Sequence, residues 1–132
     1  MSLKLSLKPG EKVIIDGAVI ENGISPSTLN IKNKVPVLRE RDIITEDKAD
    51  TPCNQLYLLL QLMYIGVIPN PELANLYGKL VADIIAAAPS TKNLISNITG
   101  YILDGKYYQA LKKAQSLIKY EEELLNHVSD PG

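Results

Sequence analysis

Residues 3–17 read LKLSLKPGEKVIIDG, and this stretch decides how the chain begins to fold. From Leu3 to Lys8 apolar and polar positions alternate strictly, which puts Leu3, Leu5 and Leu7 on one face of a strand and Lys4, Ser6 and Lys8 on the other. The pattern predicts a half-buried strand with a basic outer face. Pro9-Gly10 supplies a turn, and the β-branched run Val13-Ile14-Ile15 gives a second strand. That strand ends at Asp16-Gly17, a two-residue hairpin signal, so residues 18–21 form its return strand.

Working outward, Asn22-Gly23 and Ser25-Pro26-Ser27 form a loop. Residues 28–31 and 35–38 then read as two more short strands, with Pro36 favouring an edge position for the last. Arg39-Glu40-Arg41-Asp42 is a charged link or short helix, and residues 46–50 an exposed linker. Beyond it the period changes from two to that of a helix. Thr51-Pro52 is an N-cap followed by proline at the first helical position, opening a helix to about Tyr64. Asn70-Pro71 does the same for a helix towards Ala88, which Pro89 stops. Ser90 is placed to cap a third helix carrying Leu94, Ile95, Ile98, Ile102 and Leu103. Asp104 is placed to cap a last helix, in which Tyr108, Leu111, Gln115, Ile118, Glu122 and Leu125 recur three to four apart with the apolar members inward. Lys112, Lys113, Lys119 and Glu121-Glu122-Glu123 form its solvated side, and residues 128–132 fray.

The expected class is α+β: a small N-terminal antiparallel β-sheet over residues 1–45, followed by a C-terminal bundle of about four α-helices over residues 46–132. A 45-residue sheet unit is too small to bury a sufficient core and leaves open edges. Either the helices pack on it or two copies exchange strands into a homodimer, and both arrangements are consistent with the sequence.

Composition narrows the function. At 132 residues with 45% hydrophobic content the chain suffices for one modest core. Its single cysteine, Cys53, forms no internal disulfide, and no secretion signal opens the sequence, so a cytoplasmic location is expected. The most apolar run, residues 56–65, is interrupted by Gln61 and closed by Gly66 and Pro69, far short of the roughly 20 residues that cross a bilayer, so no membrane is expected as partner.

Catalysis is not supported by the inventory. His127 is the only histidine and reads as a helix-end surface residue. Cys53 lies in the first turn of a predicted helix with no base or resolving thiol near it in sequence, and reads as a packed, inert thiol. No four-ligand zinc site and no phosphate-binding glycine loop is present, and the Glu121–Glu123 run reads as a solvated face. No enzyme activity, metal or cofactor is expected. Tyr57, Tyr64, Tyr77, Tyr101, Tyr107, Tyr108 and Tyr120 all lie in the helical part, where they read as packing residues with hydroxyls at the rim, or else as a protein-binding surface.

What remains is the basic sheet. Residues 1–45 hold seven Lys/Arg against five Asp/Glu, a balance of +2 within a chain of net −1. If the strand ending at Leu38 pairs beside the first strand, Lys4, Lys8 and Arg39 share one edge as a phosphate-contacting stripe. On charge alone, the ordinary reading of solvated lysines guarding an edge strand is as good.

Three segments add a resemblance. Residues 1–12 (MSLKLSLKPGEK), 33–43 (NKVPVLRERDI) and 56–64 (LYLLLQLMY) resemble the FlbT family of flagellar biosynthesis regulators, over nearly the whole chain. The resemblance implies a post-transcriptional regulator that binds the 5′ untranslated region of flagellin mRNA and lowers its translation and lifetime, although some members act as activators. It also implies FlaF, a companion flagellin regulator, as a partner. Over about 40 residues, Leu3, Leu5, Lys8, Gly10 and Glu11, with Val37, Arg39, Glu40 and Ile43, look like the carbon storage regulator CsrA, a strand-swapped dimer that binds messenger leaders. That likeness puts Lys8 and Arg39 in the places of two RNA-contacting arginines, and Lys4 and Leu5 on the strand that meets the bases. Leu7 stands where CsrA keeps a second basic residue. The expected RNA-binding residues are Lys4, Leu5, Lys8, Lys34 and Arg39. The rival reading is a protein-interaction adaptor acting through FlaF, flagellin or a chaperone, with only indirect effects on RNA.

Overall fold

Two Gly-containing turns set the chain reversals of the N-terminal region. Lys8 to Glu11 is a type II turn with Pro9 at its second position and Gly10 at φ +72°, closed by the Glu11 N–H donating to the Lys8 carbonyl at 3.1 Å. At Asp16-Gly17 both residues have positive φ, 51° and 85°, the type I′ geometry that matches strand twist. The computed structural model describes residues 2–66 and 70–129, without the side chains of Asn70 and residues 127–129.

The turns connect β1 (Leu3–Leu7), β2 (Lys12–Ile15), β3 (Ala18–Glu21), β4 (Ser27–Ile31) and β5 (Val37–Arg39). They form two small antiparallel sheets, one of β1 and β4 and one ordered β3-β2-β5. β1 pairs β4 in the register Leu5↔Leu29, and β2 pairs β5 in the register Ile14↔Leu38. The strand ending near Leu38 therefore lies beside β2, not beside β1 as the stripe expectation required. β1 is satisfied by β4 because the Ser25–Ser27 loop returns the chain along it. Pro36, lacking an N–H, stays outside β5, and its carbonyl accepts the Asp16 N–H at 2.8 Å.

Leu5, Leu7 and Val13 form the buried cluster of this region, with Ile15, Leu29, Ile31 and Val37 packed against it. The period-two reading of the first strand holds for Leu5 and Leu7, while Leu3 at the strand end is 48% exposed. All four residues of β3 are exposed, as an edge strand is.

By its contacts the chain divides into two compact units, one holding residues 1–43 and 65–67, the other 44–64 and 68–132. The second contains α1 (Pro52–Ile65) except its last residue, and α2 (Asn70–Ala87), α3 (Lys92–Leu103) and α4 (Tyr107–Ser129). Strands followed by four helices make the protein α+β. The predicted cap at Thr51 is present: its Oγ1 accepts the Asn54 N–H at 3.1 Å. Two others differ. Ser90 sits in a 3₁₀ turn, Pro89–Thr91, and its hydroxyl accepts the Tyr120 O–H at 2.6 Å instead of capping α3. Asp104 is the C-cap of α3, followed by Gly105 at φ +73°. The Lys106 and Gly105 N–H groups bond back to the Tyr101 and Ile102 carbonyls, a Schellman ending that needs a left-handed residue.

The buried residues of this unit include Leu56, Leu60, Leu73, Ile98, Leu111 and Leu117. On α4 the buried face runs Ala110, Leu111, Ala114, Leu117, whereas Tyr108 and Leu125 of the predicted stripe are 40% and 54% exposed. The stripe is turned because two alanines, Ala110 and Ala114, inconspicuous by size in the sequence, belong to the buried face, both at 0% exposure. The readings of His127 and of the tail beyond Ser129 lie outside the described residues. Among the described residues no helix is long and apolar enough to cross a membrane.

Candidate nucleic-acid interface

Five charged residues of the sheet unit converge on a cleft of about 410 Å³ lined by Ser6, Lys8, Pro9, Gly10, Glu11, Arg39, Glu40 and Arg41. Three elements build it: the outer face of β1, the type II turn, and the end of β5 with the 3₁₀ turn Glu40–Asp42 that follows. Arg39 bridges the first two. Its Nη2 donates to the Ser6 carbonyl at 2.6 Å and to Glu11 Oε2 at 3.3 Å. Glu11 in turn accepts the Lys8 N–H through Oε1 at 2.9 Å. That backbone N–H, and then the hydrogen bond and charge of Arg39, hold the Glu11 carboxyl below its ordinary value. Glu40 Oε1 accepts the Lys12 N–H at 3.1 Å, fixing the start of the 3₁₀ turn against β2.

Asn22 braces the turn from behind. Its Nδ2 donates to the Lys8 carbonyl at 2.8 Å and to the Ser25 carbonyl at 3.0 Å, while the Gly10 N–H reaches the Gly23 carbonyl at 2.9 Å. The cleft thus offers the guanidinium of Arg39, with N–H groups beyond those already bonded, together with the cations of Lys8 and Arg41, to an anion.

Of the residues expected from sequence, Lys8 and Arg39 meet in this cleft. They do so without the predicted strand pairing, because the Arg39 side chain crosses to the Ser6 carbonyl. Lys4 is exposed on β1, two residues before Ser6 on the same face, but does not line the cleft. Lys34 is exposed in the loop between β4 and β5 and does not line it either. The Leu5 side chain is only 4% exposed in the core, which leaves its backbone alone for contact with any ligand. Sequence reasoning passed over Arg41, Glu11 and Asn22. The first two stand in the segments that carried the resemblance, whereas nothing in the sequence near Asn22 marks it as a brace for a turn fourteen residues earlier.

In the helical unit polar groups serve helix ends and backbone. Glu121, read from sequence as part of a solvated run, has its Oε2 accepting the Cys53 N–H at 3.1 Å, at the start of α1. Cys53 is 3% exposed, and burial first, then the hydrogen bond and charge of Glu121, push its thiol up to about 12. Gln61, 5% exposed, pairs with the Ile44 backbone in both directions, accepting its N–H at 2.8 Å and donating to its carbonyl at 3.0 Å. Tyr77 shares a 2.7 Å hydrogen bond with Thr99 Oγ1. Among the described residues no group of three or more His, Cys, Asp or Glu is placed to hold a metal ion.

Fold and cleft together define a class: a small α+β protein whose β-sheet unit presents a basic, open cleft. The family model described as Flagellar protein FlbT matches residues 3–125, and this chain belongs to that family. It is 46% identical over 126 residues to a probable flagellum biosynthesis repressor protein FlbT 1 of Bradyrhizobium diazoefficiens, covering 94% of this chain and 85% of the relative. A probable flagellum biosynthesis repressor protein FlbT of Rhodopseudomonas palustris is 39% identical, over 96% of this chain and 99% of its own. The flagellum biosynthesis repressor protein FlbT of Caulobacter vibrioides is 35% identical, over 98% and 93%. No solved structure matches the chain.

Proposed function

We propose that this protein is a cytoplasmic regulator of flagellum synthesis that binds the 5′ leader of flagellin mRNA through the basic cleft of its sheet unit. Family membership supports the regulatory role, and relatives along the whole chain carry the name of flagellum biosynthesis repressor. The observation that carries the RNA reading is the meeting of three cations, Lys8, Arg39 and Arg41, with two carboxylates, Glu11 and Glu40, around one open cleft that keeps a positive balance. Phosphates favour such a site because neutralising them releases counterions. Gly10, with no side chain and φ +72°, lets a nucleotide backbone approach the turn closely. Lys4 extends the cationic row along β1, and Lys34 adds a second positive point at the β4–β5 loop. The bound leader is closed to ribosomes or presented to nucleases.

The test is direct binding of the purified protein to a fluorescent flagellin 5′ leader and to a scrambled RNA of equal length, at low and physiological salt. Selective binding that weakens with salt is expected. A Lys8→Ala, Arg39→Ala double variant should lower the logarithmic salt slope by about 0.7 for each single-strand phosphate contact removed. Binding that the double variant leaves unchanged overturns the residue assignment.

A second reading, an adaptor that binds FlaF or another helical partner, is favoured by one observation. The helical unit has an apolar groove of about 480 Å³ lined by residues that include Ile84, Ala87, Leu124 and Leu125, wide enough for apolar anchors of an amphipathic helix. Such binding is nearly indifferent to salt, which separates it from the first reading.

A further inference from the structure

Near the start of α4 a second surface has the chemistry of a nucleotide site without belonging to the sheet unit. Tyr101, Tyr108, Gln109, Lys112 and Lys113 line an open pocket of about 420 Å³. The Schellman ending of α3 creates it, because that reversal sets Tyr101, in the last turn of α3, near the first turns of α4. Tyr108 is not a buried packing residue. The residue is 40% exposed, and its ring is contacted by Tyr64, whose centroid lies 5.6 Å away at 48°, and by the Lys112 ammonium 5.4 Å from its own centroid. An oriented and accessible ring is what base stacking requires, since a ring that must first be ordered loses that entropy on binding.

We propose that this pocket binds one unpaired RNA base, stacked on Tyr108 beside Tyr101, with the adjoining phosphates on Lys112 and Lys113. Charge selects the occupant: both ionisable side chains other than tyrosine in the lining are lysines, and none is acidic. The Gln109 amide offers a donor and an acceptor to a base edge. Stacking of this kind is tolerant of sequence, so the pocket adds grip on single-stranded RNA, leaving sequence preference to other contacts. The inference goes beyond the cleft reading and stands on different residues.

The experiment uses the full chain and a single-stranded hexauridylate with a central 2-aminopurine, whose fluorescence responds to stacking. Binding with a changed signal is expected. Tyr108→Ala, and Tyr108→Leu, which keeps apolar packing against Tyr64, should each weaken binding about tenfold and restore the free-probe signal, while Tyr108→Phe retains both. A Lys112→Ala, Lys113→Ala variant should flatten the salt dependence. The Lys8→Ala, Arg39→Ala variant should keep the stacking signal even where leader binding is lost, so the two readings fail separately. The proposal is overturned if the wild-type signal does not change, if Tyr108→Leu matches wild type, or if an acidic peptide binds this pocket and the RNA does not.

Discussion

In the sheet unit Arg39, Glu11, Lys8 and Arg41 meet at the rim of a cleft reachable from solvent. The helical unit does the reverse with Gln61, Glu121 and Thr99, which are drawn to backbone groups and to a tyrosine hydroxyl. The difference teaches where to look for a ligand. A partnered polar group that is also buried stabilises the fold, because desolvating it alone is costly. A group whose contacts lie at an open rim retains donors for something else.

Chemistry at Cys53 offers the largest effect by which this contrast can be broken. With its thiol pushed up to about 12, labelling in the native state near pH 8 should run about a thousandfold slower than for a free cysteine. Unfolding in denaturant should restore the rate, and rapid native labelling would show the helical unit to be far looser than described. Next in size is Leu117→Ala. At 0% exposure it should cost about 2–5 kcal/mol in a denaturant titration, and a loss well under that would mean that α4 is not packed as a core helix. Gln61→Leu keeps the volume but leaves both Ile44 backbone groups without their partner, for an expected cost of about 1–3 kcal/mol. An unchanged midpoint would remove Gln61 from the structural class.

The smallest change belongs to the cleft. Glu11→Gln should alter stability only slightly at neutral pH, since the Arg39–Glu11 pair lies at the rim of the cleft and is only partly buried. Its signature is in pH. The folded carboxyl lies below its ordinary value of 4.5, so its contribution is present above that value and fades as pH falls through the lower folded value. Wild type should lose stability on acidification more steeply than Glu11→Gln, and identical acid profiles would show that Glu11 is not held by Lys8 and Arg39.

Much of this was legible in the chain because local physics repeats. Alternation in Leu3–Leu7, the Pro-Gly and Asp-Gly turns, and Thr51-Pro52 each act within a few residues, so they can be read without knowing what they pack against. Ser90 and Asp104 misled because a small polar residue beside a helix end suits either side of the boundary, and the positive φ of Gly105 decides it. The face of α4 misled because half of its buried positions are alanines, Ala110 and Ala114, which carry little hydrophobic signal.

By itself, then, the sequence determined the class, the turns, four of the helices and the candidacy of Lys8 and Arg39, all properties of neighbours along the chain. Only the tertiary structure decided that β5 lies beside β2 and that Arg39 reaches the Ser6 carbonyl, thirty-three residues away in sequence. Pairing between distant segments is a choice among many strands of similar composition. It is settled by which arrangement buries the apolar side chains and leaves each backbone group a partner.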